Sequence, residues 1–488
     1  MIATETSVQT LKWFVGGRWE DAGARSLHPV RNPSTGQVVA QTPYATAQDV
    51  DRAAQAAHAA FLKWREVPVV ERVQVLYRYK DLFEKNAEDL ARILSTENGK
   101  TIEDARMEVR RAIQMVEFGC GMPSLMMGQS LENVSRGIDS ITIRQPLGVC
   151  AGITPFNFPV MVPMWMVPFA IAAGNAFVLK PSEKVPMSPT RTAELLEEAG
   201  VPPGVYSLLH GDKEAVDALL RHPLIRAISF VGSTPVAKYI YETAAAQGKR
   251  VQALGGAKNH LVVMPDANME KSVEAIMGSA FGAAGERCLA GSVLVPVGAA
   301  AEPLLKLLVE KTRQMRVGAS LEQGVEMGPV VTGDHRKRIV GYIEKGIAEG
   351  ARPLCDGRSQ LTPEQDGFFI GPTIFDDVQP GMTIAREEIF GPVLSVIRAK
   401  DLNDAITLVN SSPFGNTSSI FTSDGKTARE YASRVEAGMV GVNVGVAAPM
   451  AFFPFSGWKQ SFFGDLHAHG RDAIEFYTEQ KVIMTRWF

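Results

Sequence analysis

The sequence predicts an α/β protein with more than one parallel-sheet domain, on three observations. Short apolar runs alternate with helical segments, the rhythm that parallel strands with crossover helices require. The alternation halts at "QALGGAKNH" (252–260) and then restarts. The chain has 488 residues, which exceeds one ordinary domain and points to two or three.

Taken in order, residues 46–98 read as helices, with Thr46 placed to cap the first and Gly99 to close the last. "LGVCAGI" (147–153), "AFVLK" (176–180), "VYSLLH" (205–210) and "AISFVGS" (227–233) read as strands. The helices between and after them are "PTRTAELLEEAG", "KEAVDALLRH" and "PVAKYIYETAAAQG". In the second half, "MEKSVEAIMGSAFGAAG" (269–285) reads as a helix leading to a cysteine. "SVLVPV", the helix "AEPLLKLLVEKTRQM", "LSVIRA" and "SSIFTS" follow. "SITIRQ" (140–145) and "IEFYTEQKVIMTRW" (474–487) alternate like strands, yet fit neither domain, so they are expected to pair as an arm between subunits.

Composition narrows the class. Apolar residues make up 45% and charged residues 21%, as in a folded globular protein. The formal charge of −3 argues against a nucleic-acid or anionic-membrane surface. Cys120, Cys150, Cys288 and Cys355 form no metal-ligand spacing, so no metal site is expected. Their wide separation suggests reduced thiols and a cytoplasmic setting. "MIATETSVQTLKWFVGG" lacks the core of a secretory leader. "VMVPMWMVPFAIAAG" (160–174) is interrupted by Pro163 and Pro168 and is too short to span a bilayer, so it reads as a buried helix.

Five motifs bear chemistry. In "AAGERCLA" (283–290), Cys288 follows Arg287 among small residues that leave room for a substrate. A nucleophilic thiolate needs such access and a lowered pKa, and the alternative is a buried structural cysteine. No Cys–His pair is evident. In "LKPSE" (179–183), Lys180 and Glu183 sit where a parallel sheet holds ribose hydroxyls, and a carboxylate there favours NAD over NADP. "FVGSTPVA" (230–237) brings Gly232 and Ser233 to a helix start, where a phosphate could sit. The chain has no G-x-G-x-x-G. In "ITPFNFP" (153–159), Asn157 offers an amide to a developing oxyanion, and in "EEIFGPV" (387–393), Glu388 could hold a second ribose. Singly, each motif also fits an ordinary loop.

Together, and in this order with "LGG" and "FPFSG", the motifs resemble the aldehyde dehydrogenase superfamily over nearly the whole chain. The resemblance implies that Cys288 attacks an aldehyde and, after hydride leaves to NAD, holds the acyl group as a thioester. Asn157 and the Cys288 backbone N–H would form the oxyanion hole. Lys180 and Glu183 would hold the adenosine ribose, and Glu388 the nicotinamide ribose. Thr154 and Phe156 would line the cofactor cleft, Lys184 would lie near the adenine end, Ser233 would meet the pyrophosphate, and Gly255 would sit near the nicotinamide.

One departure is informative. Most hydrolytic members carry Glu-Leu-Gly-Gly, whereas this chain has Ala253 in the glutamate position. Alanine cannot take a proton from water. A thiol such as coenzyme A is then the better acyl acceptor. "GAKNHLVVMPDAN", "FGAAGERC", "LMMGQSLEN" and "FPFSGWKQSFFGDLHAHG" narrow the resemblance to the CoA-acylating methylmalonate-semialdehyde and malonate-semialdehyde dehydrogenases. In that subgroup two arginines grip the substrate carboxylate; by resemblance these are Arg111 and Arg287, and Arg287 would also favour the thiolate. The products would be propionyl-CoA or acetyl-CoA, with loss of carbon dioxide. The alternative is a hydrolytic NAD-dependent enzyme for a short carboxylated aldehyde. The resemblance implies a Rossmann-type NAD-binding domain at 1–123 and 147–255, a catalytic α/β domain at 256–460, and a β-strand oligomerisation arm at 124–146 and 461–488. It implies a homo-oligomer, a dimer of dimers, with no nucleic-acid or membrane partner.

Overall fold

Helices dominate the first hundred residues because alanine and apolar side chains recur there at helical spacing. The computed structural model describes residues 8–21, 26–360 and 366–488, and the stretch read for a leader begins outside them. The helices are Ala47–Trp64, Val69–Lys85 and Ala87–Asn98. Thr46 closes the first helix's N-terminus by donating from its backbone N and Oγ1 to Asp49 Oδ2, at 2.8 and 2.7 Å. Gly99 ends the third with φ 93°, and a Cβ there would meet Pro329 O at 2.9 Å, so the position requires glycine.

The first large sheet has eight strands. Its centre is five parallel strands: Tyr206–Leu208, Ala176–Lys180, Val149–Ile153, Ile225–Val231 and Arg250–Leu254, in that spatial order. In chain order this is 3-2-1-4-5, so the direction of progression reverses at Val149–Ile153. A crevice opens at the carboxyl ends of strands at such a reversal. "ITPFNFP" and "FVGST" both begin there. The second sheet has seven strands, ordered Arg352–Cys355, Thr373–Asp376, Val393–Val396, Gly291–Pro296, Asn259–Val263, Thr417–Phe421 and Met439–Val442. All pair in parallel except Arg352–Cys355. Each sheet is covered by helices and has its own apolar core. Ser130–Ser135, Ile138–Pro146 and Thr478–Arg486 form a separate antiparallel sheet, which leaves Leu131, Val482 and Met484 exposed. No helix among the described residues is long and apolar enough to cross a membrane.

Five expectations need correction. Residues 160–174 are buried, but form two short helices, Met161–Met164 and Val167–Ala173, because Pro163 and Pro168 interrupt the backbone ladder. Strands Arg250–Leu254 and Asn259–Val263 escaped the reading because buried polar residues (Gln252, Asn259 and His260) break their apolar runs. The C-terminal strand starts at Thr478, not 474: Gly470–Phe476 is a helix whose Ala473, Ile474 and Phe476 join the first core. Within the span 461–488 assigned to the arm, Phe462–Phe463 pairs instead with Arg250–Leu254 at the edge of the first sheet. Finally, the helix before Cys288 ends at Phe281.

Candidate active site

That early end shapes the site. Residues Gly282–Gly285 turn sharply, with Ala283 at φ 48° and Ala284 at φ 52°. Left-handed alanines cost roughly 1–2 kcal/mol each. Gly285, at φ 71°, backs onto Gly391, whose carbonyl oxygen would lie 2.3 Å from any Cβ. The turn delivers Cys288, whose carbonyl oxygen accepts from Asn259 Nδ2 at 3.0 Å and Asn416 Nδ2 at 2.9 Å. Cys288 is half-buried on the wall of a chamber of about 60 Å³, with Arg111, Arg287, Phe158 and Trp165 also lining it.

Burial pushes the Cys288 thiol up to about 12, and the Glu388 carboxylate adds to the rise. The backbone N–H groups of Cys288 and Leu289 oppose it, and the guanidinium of Arg287 opposes it least. The expected pull of Arg287 toward the thiolate is present, but it is the weakest of these effects and burial outweighs it. Arg287 Nη2 donates to Asp104 Oδ1 at 2.5 Å and its Nη1 to Gly278 O at 3.1 Å, so its charge is already paired. We expect iodoacetamide labelling of Cys288 in the free enzyme, followed by peptide mass spectrometry, to rise about tenfold per pH unit between about pH 7 and about pH 10. A plateau near neutrality would mean that the thiolate is stabilised after all.

The three arginines of helix Ile102–Cys120 are not equivalent. Arg106 is held by Glu88 and Glu103, and Arg110 is exposed. Arg111 lines the chamber, donating from Nη1 to Gln114 Oε1 at 3.3 Å and Met450 Sδ at 2.9 Å. Among the described residues it makes no ion pair, so its charge is free for an anion.

Asn157 lies just past the central strand and is buried, and its side-chain amide makes no hydrogen bond among the described residues. Its loop is fixed from behind. Lys100 Nζ donates to Asn157 O at 2.6 Å and to Glu108 Oε2 at 2.5 Å, while Glu108 Oε1 accepts from Val160 N and Met161 N at 2.9 and 3.1 Å. Asn98 Nδ2 adds a bond to Phe156 O at 2.8 Å.

The remaining predicted residues gather at the carboxyl ends of the first sheet. Lys180 ends its strand buried, 3.2 Å from the half-exposed Glu183. Burial lowers the pKa of this lysine, against the opposing pull of Glu183. One strand further on, Thr154 is buried and its Oγ1 has no partner among the described residues. Exposed Ser233 precedes helix Thr234–Ala245. Ser233 and Glu388 line one cleft of about 840 Å³. Glu388 Oε1 accepts from Ala257 N at 2.9 Å, and a Cβ on Gly256 would lie 2.3 Å from Glu388 Oε2. Burial raises this carboxyl to about 7. Gly255 N donates to Ser461 O at 2.9 Å, and Gly256 N donates to Thr234 Oγ1 at 2.8 Å, which sets the glycine pair against the helix start. Lys184 Nζ sits 4.7 Å over the Phe156 ring, so these two residues form one group.

Asn259, Asn416, Lys100, Glu108 and Asp104 escaped the sequence reading. Asp104 lies 183 residues from Arg287 and Asn416 lies 128 from Cys288, and no local pattern encodes such pairings.

The aldehyde dehydrogenase family model matches residues 19–483. Malonate-semialdehyde dehydrogenase 1 of Geobacillus thermodenitrificans is 52% identical over 482 residues, which covers 99% of this chain and 100% of that protein. The structure of methylmalonate-semialdehyde dehydrogenase from Oceanimonas doudoroffii superposes with a TM-score of 0.96 at 47% identity, covering 98% of both chains. A Sinorhizobium meliloti chain solved in complex with NAD gives 0.97 at 46% identity, covering 99% of both.

Proposed function

The chain belongs to the aldehyde dehydrogenase family, and from that premise we propose that it is an NAD-dependent, CoA-acylating dehydrogenase of malonate semialdehyde or methylmalonate semialdehyde. One observation carries the reading: a thiol and an unpaired guanidinium, Cys288 and Arg111, share one small chamber. A short aldehyde with a carboxylate at its far end suits both.

The cofactor end fits a dinucleotide. Thr154 Oγ1 is a buried polar atom without a partner among the described residues, and the glycine turn at 255–256 leaves no room for a side chain beside Glu388. Lys180 and Glu183 would hold one ribose and Glu388 the other, Ser233 would meet the pyrophosphate, and Thr154, Phe156, Lys184 and Gly255 would line the path between. Bound NAD supplies the hydride acceptor. The Cys288 thiol loses its proton and its sulfur bonds the carbonyl carbon. The oxyanion is held by Asn157 Nδ2–H and the Cys288 backbone N–H. Oxidation leaves a thioester on Cys288. Ala253 is fully buried opposite Phe230 and Phe463, so its position holds no base for water. The carboxylate lies β to the carbonyl of the Cys288 thioester, so its C–C bond breaks with the electron pair passing into the enolate. Carbon dioxide leaves and a proton from solvent fills the carbon. The thiolate of coenzyme A displaces the Cys288 thiolate. The products are acetyl-CoA or propionyl-CoA.

With NAD and malonate semialdehyde but no CoA, we expect a burst of about one NADH per site and a steady rate at least about tenfold lower than with CoA. An undiminished steady rate in water would support the hydrolytic reading instead, with Glu388, a carboxyl raised to about 7 whose charge acts on Cys288, as the base. Mass spectrometry of the acyl product separates the two.

The same reading assigns 1–123 and 147–255 to cofactor binding, 256–460 to catalysis, and the antiparallel sheet with its exposed Val482 and Met484 to contacts between subunits of a cytoplasmic homotetramer.

A further inference from the structure

The chamber beside Cys288 is apolar on most of its wall, with Met115, Phe158, Leu289 and Phe455 among its lining. Besides Cys288 and the two arginines, Trp165 and His469 bring polar groups to its lining. Trp165 Nε1 and His469 Nδ1 belong to lining residues only 3% and 1% exposed, and neither atom has a hydrogen-bond partner among the described residues. Leaving a buried polar group unpaired costs about 1–3 kcal/mol, so two on one small wall need an explanation. The two rings pack against each other edge-on, with centroids 5.1 Å apart at 66°, and His469 packs on Phe455 at 6.1 Å. The backbone adds a third observation. His469 adopts φ 45°, a left-handed conformation that a branched side chain pays for and glycine does not. Gly470 follows it with φ 61°, pressed against Phe453 so closely that a Cβ would lie 2.7 Å from its carbonyl carbon. The chain thus carries an imidazole where local sterics favour no side chain.

We propose that His469 is a specificity-determining residue, whose Nδ1–H joins the Trp165 Nε1–H and the Arg111 guanidinium in binding the substrate's carboxylate. This rests on the proposed function, since a carboxylated aldehyde is what those donors would meet. A neutral imidazole suffices, because its Nδ1–H form donates without a charge. Burial lowers His469 to about 4, the backbone carbonyls of Phe453 and Ala451 beside the ring oppose the shift, and the charge of Arg111 adds to it, so the ring stays neutral at neutral pH. A hydrogen bond from such a donor to a carboxylate is stronger than one between neutral groups, and its loss affects the anionic substrate selectively.

The test compares malonate semialdehyde with propanal, an uncharged aldehyde of the same carbon number, in wild type, His469→Phe, His469→Asn and His469→Gln. The amide of Asn overlays ring Nδ1 and tolerates φ above zero, whereas that of Gln reaches the Nε2 position. We expect the ratio of kcat/KM for the semialdehyde to that for propanal to fall about 10- to 100-fold in His469→Phe. The loss should lie in KM, with recovery in His469→Asn and none in His469→Gln. A ratio unchanged in His469→Phe, or restored equally by Gln, would overturn the assignment. Calorimetric binding of 3-hydroxypropanoate, the alcohol analogue of the semialdehyde, tests it without turnover. Its affinity should fall at least about tenfold in His469→Phe, and unaltered affinity would overturn the assignment even if the enzyme oxidises semialdehydes as proposed. If wild type formed no NADH from any semialdehyde, the functional reading would fail, while the calorimetry would still decide the role of His469.

Discussion

Replacing Cys288 by alanine should lower steady NADH formation at least about 10⁴-fold, because no other thiol among the described residues lines the chamber. Cys120 and Cys150 are buried, with their thiols raised by burial to about 11 in the first and higher in the second, and Cys355 lies elsewhere, under Arg313. The fold should survive. The loop is held by the Cys288 carbonyl, through Asn259 and Asn416, rather than by its sulfur. Loss of one half-buried sulfur should shift stability by about 1 kcal/mol or less. Rates followed at the NADH absorbance, with unfolding followed by circular dichroism, check both halves. Activity above a hundredth of wild type would mean that another residue carries the acyl group.

The second large effect is on stability. Glu108→Leu leaves the ammonium of Lys100 buried, with the Asn157 carbonyl and the face of Phe158 in place of its carboxylate. It also removes the acceptor for Val160 N and Met161 N. Breaking a buried ion pair from one side costs about 3–5 kcal/mol, because the surviving charge is uncompensated. The double replacement Lys100→Met with Glu108→Leu removes that charge, so it should recover part of the loss. Both variants free the Asn157 loop, so kcat should fall in both, by about 10-fold or more where the oxyanion donor is displaced. Urea midpoints read the first effect and single-turnover rates the second. Equal stability of the single and double variants would show that the pair is not what fixes the loop.

Much of this molecule is legible in its sequence where the physics is local. Alternating runs revealed the strands Val149–Ile153, Ala176–Lys180 and Ile225–Val231, and the strand ends they imply bring Thr154, Lys180 and Ser233 to one side of the sheet. The turn at Ala283–Ala284 could not be read this way. Alanine is the best helix former, and its left-handed geometry is imposed by the seat of Gly285 against Gly391. How weakly Arg287 acts on the thiol was hidden for a related reason. Adjacency in the chain suggests adjacency of charge, but its side chain runs to Asp104, on a helix formed far earlier in the sequence. The buried Lys100–Glu108 pair hid among ordinary helix charges, since only tertiary packing removes it from water.

The amide of Asn416 that grips Cys288 precedes strand Thr417–Phe421, which lies between Asn259–Val263 and Met439–Val442. During synthesis the loop around residue 288 therefore emerges long before half of its fastening exists. A nascent chain halted short of residue 416 would carry its sulfur on a loop held at that carbonyl by Asn259 alone. Chemistry becomes possible only once the ribosome has released that late strand into its slot.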